Sequence, residues 1–149
     1  MKDAMSFDKY TSSSIGHKVN KTARLITQKL ARNFRESGIE VTTEQWRILL
    51  YLYREDGQSQ NSLAESTGKD QPTISRIINT MEKHSLVFRT RDPYDHRTNL
   101  IYLTENGRNI KEALMYMGQK TNSEVTQGME PEEVETCIRI LDKVIENLS

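Results

Sequence analysis

The hydrogen-bonding side chains between residues 71 and 79 could contact a nucleic acid. They are Gln71, Thr73, Ser75, Arg76 and Asn79. An arginine can donate two hydrogen bonds to a guanine edge or hold a phosphate, and a glutamine can pair with adenine. The hydroxyl side chains can contact bases or phosphates. Taken alone, the same residues would equally suit a helix surface that meets only water, so the neighbouring segments must decide between the two interpretations.

The apolar residues of this stretch predict the helix that would present these side chains. Spacings of three and four residues place four of them in one stripe, which leaves the polar set on the opposite face: Ile74, Ile77, Ile78 and Met81. Asp70 is suited to cap the helix, and Pro72 is tolerated in its first turn. A shorter helix is predicted just before it, from a cap at Ser59 to a stop at Gly68. Two helices joined by a tight turn are typical of a helix-turn-helix DNA reader.

A hairpin is predicted directly after the second helix. Residues 86–88 and 100–103 favour strands, and the polar loop RDPYDHRTN lies between them. Such a wing commonly places a basic side chain in the minor groove, and Arg97 is our candidate because a narrow A·T-rich groove attracts it. His96 and Thr98 are candidates for contacts with the DNA backbone. Phosphates would repel Asp95, so we expect this residue to organise the wing by holding Arg97 or another basic residue in place.

Two segments resemble a known protein family. DPYDHRTNLIYLTENG resembles the wing signature of the MarR family of bacterial transcriptional regulators, and KDQPTISRIINTMEKHSLVFR is similar to that family's recognition helix and first wing strand. The resemblance implies a homodimer that binds a pseudo-palindromic operator on double-stranded DNA, with repression as the commoner outcome. It also implies a pocket for a small aromatic effector, to which four residues would contribute: Tyr10, His17, Trp46 and Arg47. Trp46 fits a buried core position as well.

The chain divides into three regions, and the expected fold is mainly α with a small β-hairpin wing. Residues 1–14 suggest a flexible arm, 42–103 a winged helix-turn-helix module, and 15–37 with 107–149 a helical dimerisation region. The last helix carries a heptad-like apolar seam of five residues: Val134, Ile138, Leu141, Ile145 and Leu148. This seam must be buried, either against a partner protomer, which we favour, or against the chain's own module.

The charge distribution gives weak support to DNA binding. The 21 lysines and arginines balance the 21 acidic residues. Residues 1–40 hold eight basic against four acidic residues, a net +4; residues 104–149 hold five against nine, a net −4; and residues 57–103 hold six against five, only +1. A dimer would bring two basic helices and two wings to one duplex. The near-neutral central block nevertheless keeps open an alternative, a winged-helix protein-interaction module without specific DNA binding.

Other functional classes find little support in the sequence. No nucleophile elbow, phosphate-cradling glycine loop or metalloprotease pair occurs, so we expect neither an enzyme nor a cofactor. The three histidines lack metal-ligand spacing, and the single cysteine, Cys137, excludes a disulfide framework within the chain. The sequence has no apolar run of membrane-spanning length and no segment typical of a signal peptide, which predicts a cytoplasmic protein without a membrane partner.

Overall fold

The computed structural model describes residues 5–149, and within them it contains eight helices and three short strands. The helices are α1 (Phe7–Ser13), α2 (Ile15–Glu36), α3 (Thr43–Arg54), α4 (Gln60–Thr67), α5 (Gln71–Lys83), α6 (Glu105–Asn109), α7 (Lys111–Val125) and α8 (Pro131–Leu148). The strands are β1 (Gln58–Ser59), β2 (Val87–Arg91) and β3 (Asn99–Leu103). The expected fold class, mainly α with a β-hairpin wing, is confirmed.

The predicted helix caps are present at the ends of the helix-turn-helix. The Ser59 side chain accepts a hydrogen bond from the backbone of Ser62, and that of Asp70 accepts one from Thr73. Gly68 ends α4 in the left-handed conformation with φ of 68°. A side chain is strained in that conformation, so a glycine makes the sharp turn into α5 possible.

The apolar stripe of α5 anchors the module's core. All four of its residues, Ile74, Ile77, Ile78 and Met81, are at most 3% exposed, and they belong to one cluster with core residues of α3, α4 and β3. The stripe fixes which face of α5 turns outward. The polar residues named above are therefore carried on the solvent side of a helix whose rotation is set by burial.

The hairpin belongs to an antiparallel sheet with the strand order β1-β3-β2. β2 pairs with β3 from Val87 opposite Leu103 to Arg91 opposite Asn99. This hairpin extends further toward its tip than the strands predicted at 86–88 and 100–103. The third strand, β1, was not predicted, because two residues are too short to show an alternating pattern.

α2 packs against α7 through a buried polar contact. The Asn33 side chain donates to Thr121 Oγ1 at 2.8 Å and to Glu124 Oε1 at 3.1 Å, and both Asn33 and Thr121 are buried. Lys29 Nζ lies 2.7 Å from Glu124 Oε2. The hydrogen bond from Lys29, followed by that from Asn33, lowers the pKa of the Glu124 carboxyl. Hydrogen bonds of this kind select one alignment of the two helices, since a shift would leave buried polar groups unpaired.

The two ends of the described chain differ from its centre. The predicted N-terminal arm, residues 1–14, contains the helix α1 at Phe7–Ser13, with the Ser6 side chain as its cap; residues 1–4 lie outside the described part. None of the α1 residues is buried. The same holds for α8, where Ile138 is 55% and Ile145 is 60% exposed. Within one chain the predicted seam therefore has no cover.

Candidate nucleic-acid interface

The outer face of α5 carries the hydrogen-bonding side chains predicted from the sequence. Gln71, Arg76 and Asn79 are exposed, whereas Thr73 and Ser75 are half-buried. Asp70 accepts the backbone N–H of Thr73 at 2.8 Å, and hydrogen bonds from the Thr73 side chain and backbone lower the pKa of its carboxyl. The exposed face thus begins at a well-ordered helix terminus, and its three exposed members are free to meet a ligand.

The wing loop is held by its own aspartates. Asp95 Oδ1 accepts the backbone N–H of Arg97 at 3.0 Å, and its Oδ2 accepts the hydroxyl of Thr98 at 3.2 Å. Asp92 Oδ1 accepts the backbone N–H of Tyr94 at 2.8 Å. Both carboxylates therefore hold loop backbone, which is the pattern of an Asx turn.

This arrangement leaves the Arg97 side chain exposed. The ion pairs of the described chain join Lys29 to Glu124, Lys69 to Glu44 and Arg89 to Glu82, so none of them involves Arg97. His96 is exposed as well, and Thr98 is half-buried. A guanidinium on an ordered loop, without a carboxylate partner in residues 5–149, has all five donors available to phosphates or base edges.

Sequence reasoning missed two features of the wing. Arg89 donates from Nη2 to the carbonyl oxygen of Ser75 in α5 at 3.0 Å, a contact between elements that no local pattern announces. Tyr94 stands at the loop tip with 98% of its surface exposed. The sequence predicted a turn at Pro93 and Tyr94, but it did not predict that the Tyr94 ring would be almost fully exposed.

The four residues proposed for an effector pocket do not share a concavity in the single chain. Trp46 is buried edge-on against Phe34 and lines a depression of about 350 Å³ between α2, α3 and α7. Arg47 lines a different depression beside Tyr51, on the side of α4. His17 borders a third on α2, and Tyr10 is exposed on α1. Of the four, Trp46 alone lies between the helical region and the winged module.

A helix-turn-helix with an adjacent three-stranded wing defines the class of this protein as a winged helix. A model of the MarR family matches residues 37–98, which include α3, α4, α5 and most of the wing. A probable transcriptional regulator from Pseudomonas aeruginosa is 25% identical, with 89% of this chain and 98% of that chain covered and a TM-score of 0.81.

Two further solved structures share the fold at lower identity. A cysteine-to-serine variant of MarR from E. coli, complexed with operator DNA, is 22% identical over 91% of this chain and 96% of that chain, with a TM-score of 0.82. BpsR of Bordetella bronchiseptica is also 22% identical, over 89% and 94% of the two chains, with a TM-score of 0.80.

Residues 37–98 of this chain therefore resemble the MarR family, and the fold is that of the winged-helix structures compared above. Within residues 5–149, no helix combines the length and the apolar character that a membrane crossing requires.

Proposed function

We propose that this protein is a transcriptional regulator that binds a pseudo-palindromic operator as a homodimer, with α5 in the major groove and the wing at the minor groove. The observation that carries the proposal is the exposed Arg97 guanidinium. It has no carboxylate partner in the described chain, because Asp95 accepts from the Arg97 backbone N–H and the Thr98 hydroxyl instead. On the helix, Arg76 would hold a guanine edge or a phosphate, Gln71 would pair with adenine, and Asn79 is a further candidate for base contact.

Four half-buried or exposed residues complete the proposed interface. Thr73 and Ser75 would contact bases or phosphates near the start of α5, and His96 and Thr98 would contact the DNA backbone beside Arg97. Contacts of this kind fix the position of the protein on the duplex, whereas the base edges supply the sequence preference. Because a chromosome is the target, the proposal places the protein in the cytoplasm.

Dimerisation is supported by the uncovered seam of α8. An apolar face of five residues over 18 residues of helix is costly to leave in water, and a second copy would cover it symmetrically. The seam belongs to the proposed dimerisation region, residues 15–37 and 107–149. Two modules related by a two-fold axis would then contact half-sites about one helical turn apart.

Repression and release by a small aromatic effector complete the proposal. The DNA binding of BpsR from Bordetella bronchiseptica is regulated by 6-hydroxynicotinic acid. For this chain, the depression at Trp46 offers an apolar wall and an aromatic face suited to such a ring. Since Tyr10, His17 and Arg47 lie elsewhere in the single chain, their participation would require the second protomer or a rearrangement.

The decisive experiment measures binding of the full chain to DNA fragments from around its own gene by fluorescence anisotropy, across a salt series. We expect one fragment to bind at least about 10³-fold more tightly than random DNA of equal length, within the range typical of specific regulators. The logarithm of the affinity should fall linearly with the logarithm of the salt concentration.

The charge distribution favours one alternative, a winged-helix module that binds another protein. The central block, residues 57–103, carries a net charge of only +1 from six basic and five acidic residues. Equal and weak affinity for every fragment, including a library of mixed genomic DNA, would support this alternative over the DNA-reading proposal.

A further inference from the structure

We infer that Arg89 is a positioning residue, which fixes the recognition helix α5 relative to the wing and thereby sets how well the two can contact DNA together. This inference rests on the proposed function, because it assigns to Arg89 a part in DNA reading without contact to DNA. Neither the sequence pattern nor the family resemblance singled out this side chain.

The guanidinium of Arg89 holds α5 at two places. Nη2 donates to the Ser75 carbonyl oxygen at 3.0 Å, and Nη1 lies 3.4 Å from Glu82 Oε1. Ser75 and Glu82 are seven residues apart, or about 10 Å along a helix axis. Side chains on a helix point back toward its N-terminus, which lets the Glu82 carboxylate reach the same guanidinium that Ser75 contacts. One side chain of β2 therefore spans two turns of α5.

The Arg89 side chain is directed toward the interior of the protein. Its side chain is 23% exposed, and Nε is buried without a hydrogen-bond partner. On the opposite face of β2, Phe88 stacks on Tyr102 with 5.6 Å between the ring centres, which limits rotation of the strand. An arginine committed in this way has few donors left for a phosphate.

Arg91 provides a contrast on the same strand. Side chains two residues apart lie on the same face of a strand, yet Arg91 is exposed and takes part in none of the ion pairs found among residues 5–149. The two arginines thus have the same charge and lie on the same face, but only Arg89 contacts α5 through a hydrogen bond and an ion pair. Comparing a substitution of Arg89 with one of Arg91 therefore separates an effect of alignment from an effect of charge.

The reason why alignment matters lies in the two-part interface. The helix and the wing enter neighbouring grooves, so specific binding requires both to be in place at once. If the contact between α5 and the wing is lost, binding to a specific site must also fix their relative position. This ordering costs free energy and weakens specific binding. Non-specific binding depends mainly on charge near phosphates and needs no such match.

The test compares Arg89→Met with Arg91→Met, both as full chains, on the operator and on random DNA across a salt series. For Arg89→Met we expect a loss of about tenfold or more in operator affinity, as for removal of a charge-assisted hydrogen bond, with random-DNA affinity and salt slope unchanged. Arg91→Met should retain the ratio of specific to non-specific affinity. A fall of about 0.9 in salt slope for each Arg89 replaced would instead identify a phosphate contact and overturn the inference.

Arg89→Lys and a measurement without DNA separate alignment from simple stability. Lysine cannot contact Ser75 and Glu82 with one planar group, so we expect a loss between wild type and Arg89→Met. Amide hydrogen exchange should accelerate in α5 and β2 of Arg89→Met while α3 keeps its protection. Uniform acceleration, or unchanged operator affinity for folded protein, would overturn the inference. If the wild type itself has no specific site, the proposed function fails, and the exchange experiment still decides whether Arg89 aligns α5.

Discussion

Asp95 accepts a hydrogen bond from the backbone N–H of Arg97 at 3.0 Å, and its second oxygen accepts one from the Thr98 hydroxyl at 3.2 Å. The sequence predicted that Asp95 would hold Arg97 or another basic wing residue. The structure shows the contact at the backbone of Arg97 and not at its guanidinium. A carboxylate that orders the loop without neutralising the arginine keeps the positive charge available for DNA.

Replacement of Asp95 distinguishes its acceptor role from its charge. Asp95→Ala removes both acceptors and should weaken operator binding by about 1 kcal/mol, the value of one typical hydrogen bond, because the loop loses its fixed shape. Asp95→Asn keeps one acceptor oxygen and removes a charge that phosphates repel, so it should bind as tightly as wild type or more tightly. Anisotropy titrations of both variants provide the comparison. Equal losses for the two would show that the negative charge itself is required.

Arg97→Ala should weaken operator binding by roughly 1–3 kcal/mol, the range for a good base contact, while the free energy of unfolding stays within about 0.5 kcal/mol of wild type. The stability should change little because the side chain is exposed and unpaired in the described structure. Arg35→Ala, an exposed arginine of α2, is the matched control for lost charge. Titration against the operator measures the affinity, and thermal unfolding measures the stability. Identical operator affinities for Arg97→Ala and Arg35→Ala would contradict a specific role for Arg97.

The local pattern of the sequence was enough to predict most of the winged module. The stripe from Ile74 to Met81 identified the buried face of α5, and the capping roles of Ser59 and Asp70 are confirmed. These features depend on residues within a few positions of one another. Periodicity and capping chemistry describe such neighbours directly, so the orientation of α5 followed from the sequence.

The features that escaped prediction join residues distant in sequence. Arg89 reaches Ser75 across 14 positions, and β1 exists because Gln58 lies opposite Ile101 in the sheet. The helix at Phe7–Ser13 escaped for another reason, since its sequence has a cap at Ser6 but no apolar stripe. The proposed effector residues were grouped by resemblance, and the single chain separates Trp46 from Arg47 because adjacent helix positions face different directions.

The Asp70 cap should make stability depend on pH. Its hydrogen bonds with Thr73 lower the pKa of the folded-state carboxyl below the ordinary 3.8. A lowered pKa means that the charged form stabilises the fold above the unfolded pKa, and that this stabilisation disappears as the pH falls through the folded pKa. Thermal unfolding at pH 7 and at acidic values below 3.8 should therefore show a larger loss for wild type than for Asp70→Ser.

The serine variant retains a capping oxygen without a titrating group, so at pH 7 it should melt within a few degrees of wild type. Asp70→Ala removes the cap and should melt roughly 2–8 °C lower at pH 7, as expected for a lost N-cap in a domain of this size. The same acid sensitivity in wild type and Asp70→Ser would contradict the assignment to this carboxyl.

Two helical glycines should respond in opposite directions to alanine. A Cβ at Gly107 would overlap the carbonyl oxygen of Leu86, so Gly107→Ala should lower the free energy of unfolding by about 1–3 kcal/mol or more. A Cβ at Gly118 would lie 3.4 Å from Trp46 Cζ2, an ordinary contact. Gly118→Ala should therefore raise stability by about 0.5–1 kcal/mol through better helix propensity. Urea denaturation measures both, and a Gly107→Ala protein as stable as wild type would contradict the close approach.

A charge within the α8 seam should separate the proposed dimer. Ile145 is 60% exposed in the single chain, and a partner protomer would bury it. Ile145→Glu should raise the dimer dissociation constant at least about 100-fold, because an unpaired carboxylate at a buried site is costly. Asn147→Glu adds the same charge about half a turn away on the opposite side of α8, so it should remain dimeric. Sedimentation velocity across a concentration series gives both constants.

Ile145→Glu and Asn147→Glu also test whether operator binding requires the dimer. If two modules must occupy two half-sites, the monomeric Ile145→Glu protein should lose most of its operator affinity, whereas Asn147→Glu should retain it. The folded module itself should persist in Ile145→Glu, since none of the α8 residues is buried in the single chain. Circular dichroism verifies this point before the binding assay. An Ile145→Glu protein that stays dimeric would place the protomer contact elsewhere and leave the seam for another partner.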